Sequence, residues 1–257
     1  MQKRGQITVF IIIGILILGI ISFFLVSQSS LVKKEAETGQ QQAETGPFAS
    51  QVEAYIQSCI ETTGEDAVRF VSEHGGYYEL PILADLKFYL PYYLYEKQNK
   101  MPSQWTIEQE ISKYVNNELP FCLKNFDTFK EVGYDISTGE IETITTIKTD
   151  KVIFNIDFPV VMKKENKETV LRLFSAEIPI ELGKFYEIIA EFMEMQENAP
   201  ESICVSCLSN LASENNLRAE MYFVREGDML FRLIDEKESN ILYQYDFMNK
   251  YPLGDDK

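Results

Sequence analysis

The order of apolar and polar positions divides this chain into three: a continuous apolar block, a polar stretch and a long patterned body. Residues 7–26 read ITVFIIIGILILGIISFFLV, in which sixteen of the twenty are Ile, Leu, Val or Phe and none is charged. As a helix the block is about 30 Å long, the hydrocarbon thickness of a bilayer. Its side chains favour insertion by roughly 5–10 kcal/mol. The expectation is a transmembrane helix over residues 6–26, behind a basic leader at 1–5 that carries Lys3 and Arg4. Residues 27–46, SQSSLVKKEAETGQQQAETG, are polar and predict a linker.

The body, 47–257, shows shorter periods. From Pro47 to about Glu73, Phe48, Val52, Tyr55, Ile56, Cys59, Ile60, Ala67, Phe70 and Val71 recur at helical spacing. Proline suits the first turn, Gly75-Gly76 suits the end, and Gly64 is a candidate break. The aromatic stretch Tyr77–Tyr95 fits extended chain, with Pro81 and Pro91 restricting it to edges or loops. A second helix is expected from about Ser103 to Asn117, with Ile107, Ile111, Tyr114 and Val115 inward. Its candidate capping box is Thr106-Ile107-Glu108-Gln109, and Pro120 interrupts it just before Cys122.

Near residue 129 the period changes, a candidate internal boundary. Val152, Phe154, Ile156 and Phe158 alternate with Ile153, Asn155 and Asp157. The polar run 163–168 predicts a turn, and 170–180 a returning strand. Two helices follow, over 183–197 and from Pro200 and Ser202 to about Glu214. The chain then closes in a three-stranded meander carrying Ala219, Met221 and Phe223, then Met229, Phe231 and Leu233, then Ile241, Tyr243, Tyr245 and Phe247. Helices and antiparallel hairpins in separate blocks predict an α+β fold: a transmembrane helix, then an ectodomain with a helical N-terminal half and, in the C-terminal half, hairpins and two helices.

Charge narrows the partners. Beyond the leader the chain holds 22 basic residues against 40 acidic ones, a net −18. Such a field repels nucleic acid and anionic headgroups. The partners that remain are membrane lipid through the apolar helix, other copies of the chain and envelope proteins. Cys59, Cys122, Cys204 and Cys207 make an even count, which in an exported body suggests two disulfides, with three possible connectivities. Cys59–Cys122 and Cys204–Cys207 are favoured, because the second pair is local and the first two lie on helices able to pack together. A zinc site is the alternative, but Cys59 and Cys122 lack short-spaced partners. The lysine and arginine tally around the apolar block is even, Lys3 and Arg4 against Lys33 and Lys34. The cysteines therefore decide orientation: N-terminus cytoplasmic, body extracytoplasmic, in the cell membrane.

Two further fates fit the N-terminus. Ser27-Gln28-Ser29 offers small residues for signal cleavage, although the apolar run exceeds the usual signal core. Lys3-Arg4-Gly5-Gln6 followed by an unbroken apolar helix resembles an archaeal type IV prepilin leader. That resemblance covers residues 1–26 and implies a cut between Gly5 and Gln6 on the cytoplasmic side, leaving the helix attached. The fifth residue after that cut is Phe10, where many pilins carry Glu. Leader and ectodomain together resemble uncharacterised archaeal envelope proteins, which brings no known activity.

Candidate chemistry is sparse. Cys204-Val-Ser-Cys207 at a helix start has the spacing of a redox-active disulfide, stabilised as thiolate by the helix dipole. Glu201, one turn upstream, opposes this, and a structural disulfide is the simpler assignment. His74 is the only histidine. It excludes any mechanism needing two, and at a helix end it complements the dipole. Tyr89, Tyr92, Tyr93 and Trp105, within a group that also holds Tyr77, Tyr78, Phe88 and Tyr95, are the candidate binding residues: a platform for sugar or protein, or core packing. No phosphate-cradling loop, catalytic carboxylate pair, metal set or cofactor motif stands out. The expected function is non-enzymatic: a membrane-anchored extracytoplasmic binding or structural protein, a prepilin-like subunit or accessory component of a cell-surface assembly. The alternatives are a tethered thiol–disulfide oxidoreductase and a surface receptor using the aromatic group.

Overall fold

The computed structural model describes residues 47–164, 167–200, 202–235 and 243–252. The leader with Gly5 and Gln6, the apolar block, the linker, Glu201 and Ile241 lie outside the described residues. Among the described residues no helix is long and apolar enough to cross a membrane.

Helix α1 (Pro47–Glu73) is the long element against which the others are built. Val52, Ile56, Ile60, Ala67, Val68 and Val71 are fully buried along one stripe. Gly64 does not break it. A Cβ there would come within 3.0 Å of the Phe154 ring, so the glycine lets the helix lie directly on that side chain. The end is a Schellman-type cap: Gly75 and Gly76 have φ of +61° and +84°, and the Gly76 N–H donates to Val71 O at 2.8 Å. His74 stacks on Phe70, and its Nδ1 lies 2.7 Å from the Phe70 carbonyl, on the last turn.

Helix α2 (Gln104–Leu123) packs along α1. Its N-cap is Ser103, whose Oγ accepts from the Thr106 N–H at 3.1 Å. The box expected at Thr106 is thus displaced by three residues, because the serine reaches the free amides first. The helix also runs through Pro120, whose ring lies on the exposed face, and Cys122 falls in its last turn. There Cys122 meets Cys59, with Cα atoms 5.7 Å apart, and the Tyr55 hydroxyl donates to the Cys122 carbonyl at 2.9 Å. Lys124, Asn125 and Phe126 then take φ of 44°, 56° and 59°. Three successive non-glycine residues in the left-handed region cost roughly 1–2 kcal/mol each, and they throw the chain into the short helix α3 (Asp127–Lys130).

The strands are β1 (Ala84–Asp85), β2 (Leu90–Tyr95), β3 (Gln98–Asn99), β4 (Asp135–Thr138), β5 (Glu142–Ile147), β6 (Val152–Lys164), β7 (Lys167–Ile178), β8 (Arg218–Arg225), β9 (Asp228–Asp235) and β10 (Tyr243–Lys250). One sheet places β7 along one edge of β6 and β4 and β5 along the other, all antiparallel. Val152, Phe154, Ile156 and Phe158 face the core, as their alternation predicts. The second sheet runs β1-β2-β10-β9-β8, with β3 on β2. The meander β8-β9-β10 is antiparallel, but β2 joins β10 in parallel, with Met248 opposite Tyr92. The aromatic stretch thus becomes an inner strand, flanked by β10 on one side and by the two-residue strands β1 and β3 on the other. Helices α4 (Leu182–Asn198) and α5 (Val205–Glu214) complete an α+β body, with Phe185, Ile188, Ile189 and Phe192 of α4 buried. The described residues form one compact unit, continuous across residue 129.

The Cys59–Cys122 bridge closes a separation of 63 residues. In the chain-entropy description it stabilises the body by about 4 kcal/mol. The Cys59→Ser, Cys122→Ser double variant is expected to lose about that much in chemical denaturation, with the slope of the transition altered by the looser unfolded chain.

Candidate functional site

The structure divides the candidate aromatic residues. Tyr92 and Tyr93 are 5% and 0% exposed and present no platform. The cause is the period of the strand: β2 lies inside the sheet, so its alternate side chains enter cores on both faces. The Tyr93 ring stacks on Phe247 at 4.7 Å, and its hydroxyl donates to Gly75 O at 3.0 Å and shares a hydrogen bond with Tyr245. Tyr92 joins Leu90, Leu230 and Met248 in a second, smaller core. Tyr89 and Trp105 are exposed, before β2 and in the first turn of α2 respectively. Tyr78 packs on Phe70 and Tyr114. The receptor assignment through Tyr92 and Tyr93 is therefore corrected: these are core residues.

Cys204 and Cys207 are bonded across the start of α5, with Cα atoms 5.4 Å apart. Both are half-buried, above the buried Leu208. Among the described residues no cysteine is free, and no three His, Cys, Asp or Glu side chains converge as metal ligands. A cleft of about 980 Å³ between α1, the β7–α4 connection and the ends of β9 and β10 is lined chiefly by carboxylates, with Arg69 among them. Their charge is partly countered, by Arg69 on Glu65, Lys151 on Glu177 and Lys184 on Glu181.

The densest polar constellation is one the sequence does not announce. Asp85 of β1, Tyr92 of β2, Arg225 at the end of β8, Asp228 at the start of β9 and Lys250 of β10 meet around the smaller core. Arg225 bridges the Asp85 and Asp228 carboxylates and donates to the Tyr92 hydroxyl at 3.0 Å. That hydroxyl in turn donates to Asp228 Oδ2 at 3.0 Å. Lys250 Nζ stands 3.5 Å from Asp228 Oδ1. Both carboxylates are buried, which is tolerable only because they are paired. Burial, and then the bond to Asp228, push the Tyr92 hydroxyl up to about 12, so it stays protonated as a donor. Asp85 is raised by burial, but amide bonds from Phe88 and Lys87 and the Arg225 charge outweigh it, and its carboxyl sits below the usual range. Asp228 Oδ1 is buried without a hydrogen-bond partner, with only Lys250 nearby at 3.5 Å, and the other contacts tie β1, β2, β8 and β9 together, so the cluster works as a clasp.

What it clasps is an apolar loop. Asp85 Oδ1 accepts from the Lys87 and Phe88 N–H groups at 2.9 and 3.0 Å, an Asx-type turn. Around that turn Ile82, Leu86 and Tyr89 are well exposed, at 106%, 75% and 60%, with Phe88 partly so. Lys87 Nζ lies 5.3 Å above the Phe88 ring. Exposed apolar side chains grouped on one short loop mark an interaction surface more than scattered ones do. The available signal was an aspartate flanked by large apolar residues in Ile82-Leu83-Ala84-Asp85-Leu86-Lys87-Phe88.

No protein-family model matches the chain, and no curated protein or solved structure matches it.

Two outcomes follow from this geometry. Asp85 contributes stability that is fully present above its unfolded value, about pH 4. That contribution is lost as pH falls through the lower folded value, so amide exchange at Lys87 and Phe88 is expected to accelerate in that acid window. Exchange unchanged below pH 4 would show that Asp85 does not hold the turn. For the second bridge, Cys207→Ser should leave Cys204 without a trapped partner if the bond is structural; a mixed disulfide recovered from native membranes would assign it to thiol exchange.

Proposed function

We propose that this chain is a single-pass membrane-anchored extracytoplasmic protein whose body binds or organises partners at the outer face. On the prepilin-like leader, it is a subunit or accessory component of a cell-surface assembly. The observation that carries the binding role is the clasped apolar loop, in which Ile82, Leu86 and Tyr89 face solvent from a turn held by the buried Asp85 carboxylate, itself paired with the half-exposed Arg225. A loop already rigid in the free protein loses little entropy on docking, so its apolar area goes more fully into affinity. The occupant that fits is an apolar patch on an envelope protein, a second copy of this chain included. The acidic body disfavours an anionic membrane surface or nucleic acid in that place.

The two disulfides support an oxidising compartment, and hence a body outside the cytoplasm. The competing assignment, thiol–disulfide exchange, rests on Cys204 and Cys207 at the start of α5. Against it stands Glu201 in the sequence, one turn upstream, whose negative charge disfavours a thiolate there.

The test uses the native membrane. A photo-cross-linking residue replacing Leu86 is expected to give a discrete adduct, and one replacing exposed Glu131 is not. Intact mass of the same protein is expected to lack residues 1–5 and to rise by about 4 Da on reduction, two hydrogens per bridge. Equal labelling at both positions would overturn docking through the loop. An uncut N-terminus would remove the prepilin-like component and leave a plain anchor.

A further inference from the structure

The 27 residues of α1 make a rod of about 40 Å, and its two ends meet different surroundings. At the C-terminal end Tyr93 donates to Gly75 O, which places the sheet of the clasped loop there. At the N-terminal end Phe48 lies flat on Tyr134, with ring centroids 3.2 Å apart, and meets Phe129 edge-on at 5.7 Å. Phe129 packs in turn on Tyr55, whose hydroxyl holds the Cys122 carbonyl. Lys164 Nζ, near the tip of the β6–β7 hairpin, stands 4.3 Å over the Tyr134 ring, and Asp135 lies opposite Lys163 in the sheet. The end of α2, α3, the start of β4 and the β6–β7 turn are thereby gathered around the first turns of α1.

Three properties set this end apart. Large apolar side chains flank the aromatic cluster in solvent: Phe121 is 73% exposed and Val132 60%. The charge of the body also vanishes here. Residues 121–135 and 163–168 hold five lysines, Lys124, Lys130, Lys163, Lys164 and Lys167, against five acids. The net −18 found beyond the leader therefore lies elsewhere, and the field that repels a phosphate surface from the rest of the body is locally absent. Lysines lay their aliphatic stems along apolar neighbours while the ammonium groups reach phosphate, and tyrosine favours the same boundary. Finally, this is the end at which the chain coming from the apolar block at 7–26 enters the body, through Pro47.

We propose that this end of the body rests on the phospholipid surface, with Phe121 and Val132 at the boundary between headgroups and acyl chains and the lysines against the headgroup phosphates. The inference depends on the membrane anchor proposed above for residues 7–26. A tether entering beside the patch keeps lipid at a high effective concentration, so a contact too weak to recruit a free protein is enough to orient a tethered one. The rest of the acidic surface is held off by charge, which leaves this end as the one that settles. Helix α1 then acts as a strut, and the clasped loop at its other end is carried up to about 40 Å from the bilayer, where envelope partners reach it.

The only tryptophan of the chain makes the test direct. Trp105 is exposed in the first turn of α2, about 24 Å along the helix from Phe121. The full-length protein is reconstituted in phosphatidylcholine–phosphatidylglycerol vesicles whose acyl chains carry bromine just below the headgroups. Emission from Trp105 is expected to be the same as in unbrominated vesicles. In a Trp105→Phe background, Phe121→Trp and Val132→Trp are each expected to lose about half of their emission to bromine, because interfacial apolar side chains reach about 5–10 Å into that boundary. Both substitutions replace exposed side chains, so the fold is retained, and either position carries the test if the other variant does not fold. Vesicle flotation separates the two kinds of failure. Protein that does not float removes the anchor, and this contact with it. Protein that floats yet keeps its emission at 121 or 132, or loses as much at Trp105, overturns the contact and leaves the anchor in place.

Discussion

The burial of one stripe of α1 is the contact on which the rest of the body depends. This helix touches α2, β6, β7 and β10, elements from both sheets. Its apolar residues fill the space between them, and Gly64 removes a side chain where Phe154 needs the room. Its middle is fixed covalently and its C-terminal end by hydrogen bonds: Cys59 to Cys122, Ser72 Oγ to the Tyr243 hydroxyl, and the Gly75 carbonyl to Tyr93. Removing any one of these leaves the others, so the helix is over-determined rather than dependent on a single lock. Packing of such a helix, more than its propensity, is what makes it stable.

Several polar side chains in the body meet backbone N–H groups that a strand or turn leaves free. Ser112 Oγ accepts from the Thr145 N–H, Asn249 Oδ1 accepts from the Leu94 N–H, and Glu108 accepts from the Ile147 N–H. The Glu110 carboxylate does the same for Tyr78 and Glu79. Each tie joins α2 or β10 to a segment distant in the chain. Satisfied networks of this kind fix register, because a one-residue slip would leave the donors buried and unpaired. The clasp around Arg225 is the charged version of the same device.

Much of this architecture was legible in the chain. Period-two and helical patterns located α1, α4, β6, β7 and the meander, although β9 and β10 bury side chains on both faces. The parallel pairing of β2 with β10 was not legible, since strand partners far apart in sequence leave no local pattern. The same gap concealed the burial of Tyr92 and Tyr93: exposed platform and inner strand share one composition, and only the neighbour decides. Asp85, Arg225 and Asp228 were invisible singly, being ordinary charges until the fold brings them together. Pro120 was read as a stop, yet the helix continued, because a proline on the exposed face loses one hydrogen bond while the Cys59–Cys122 bridge and Leu123 hold the last turn in place.

The parallel pairing also sets an order of events during synthesis. Strand β2 is complete early, but its inner partner is Tyr243–Lys250, so more than half of the described chain must emerge before the pair can form. Until then Tyr92, Tyr93 and Leu94 have no sheet to enter and remain an apolar, aggregation-prone stretch. The β6–β7 hairpin and the α1–α2 pair need no such wait, being assembled from neighbours. The sheet carrying the clasped loop is therefore the last to close.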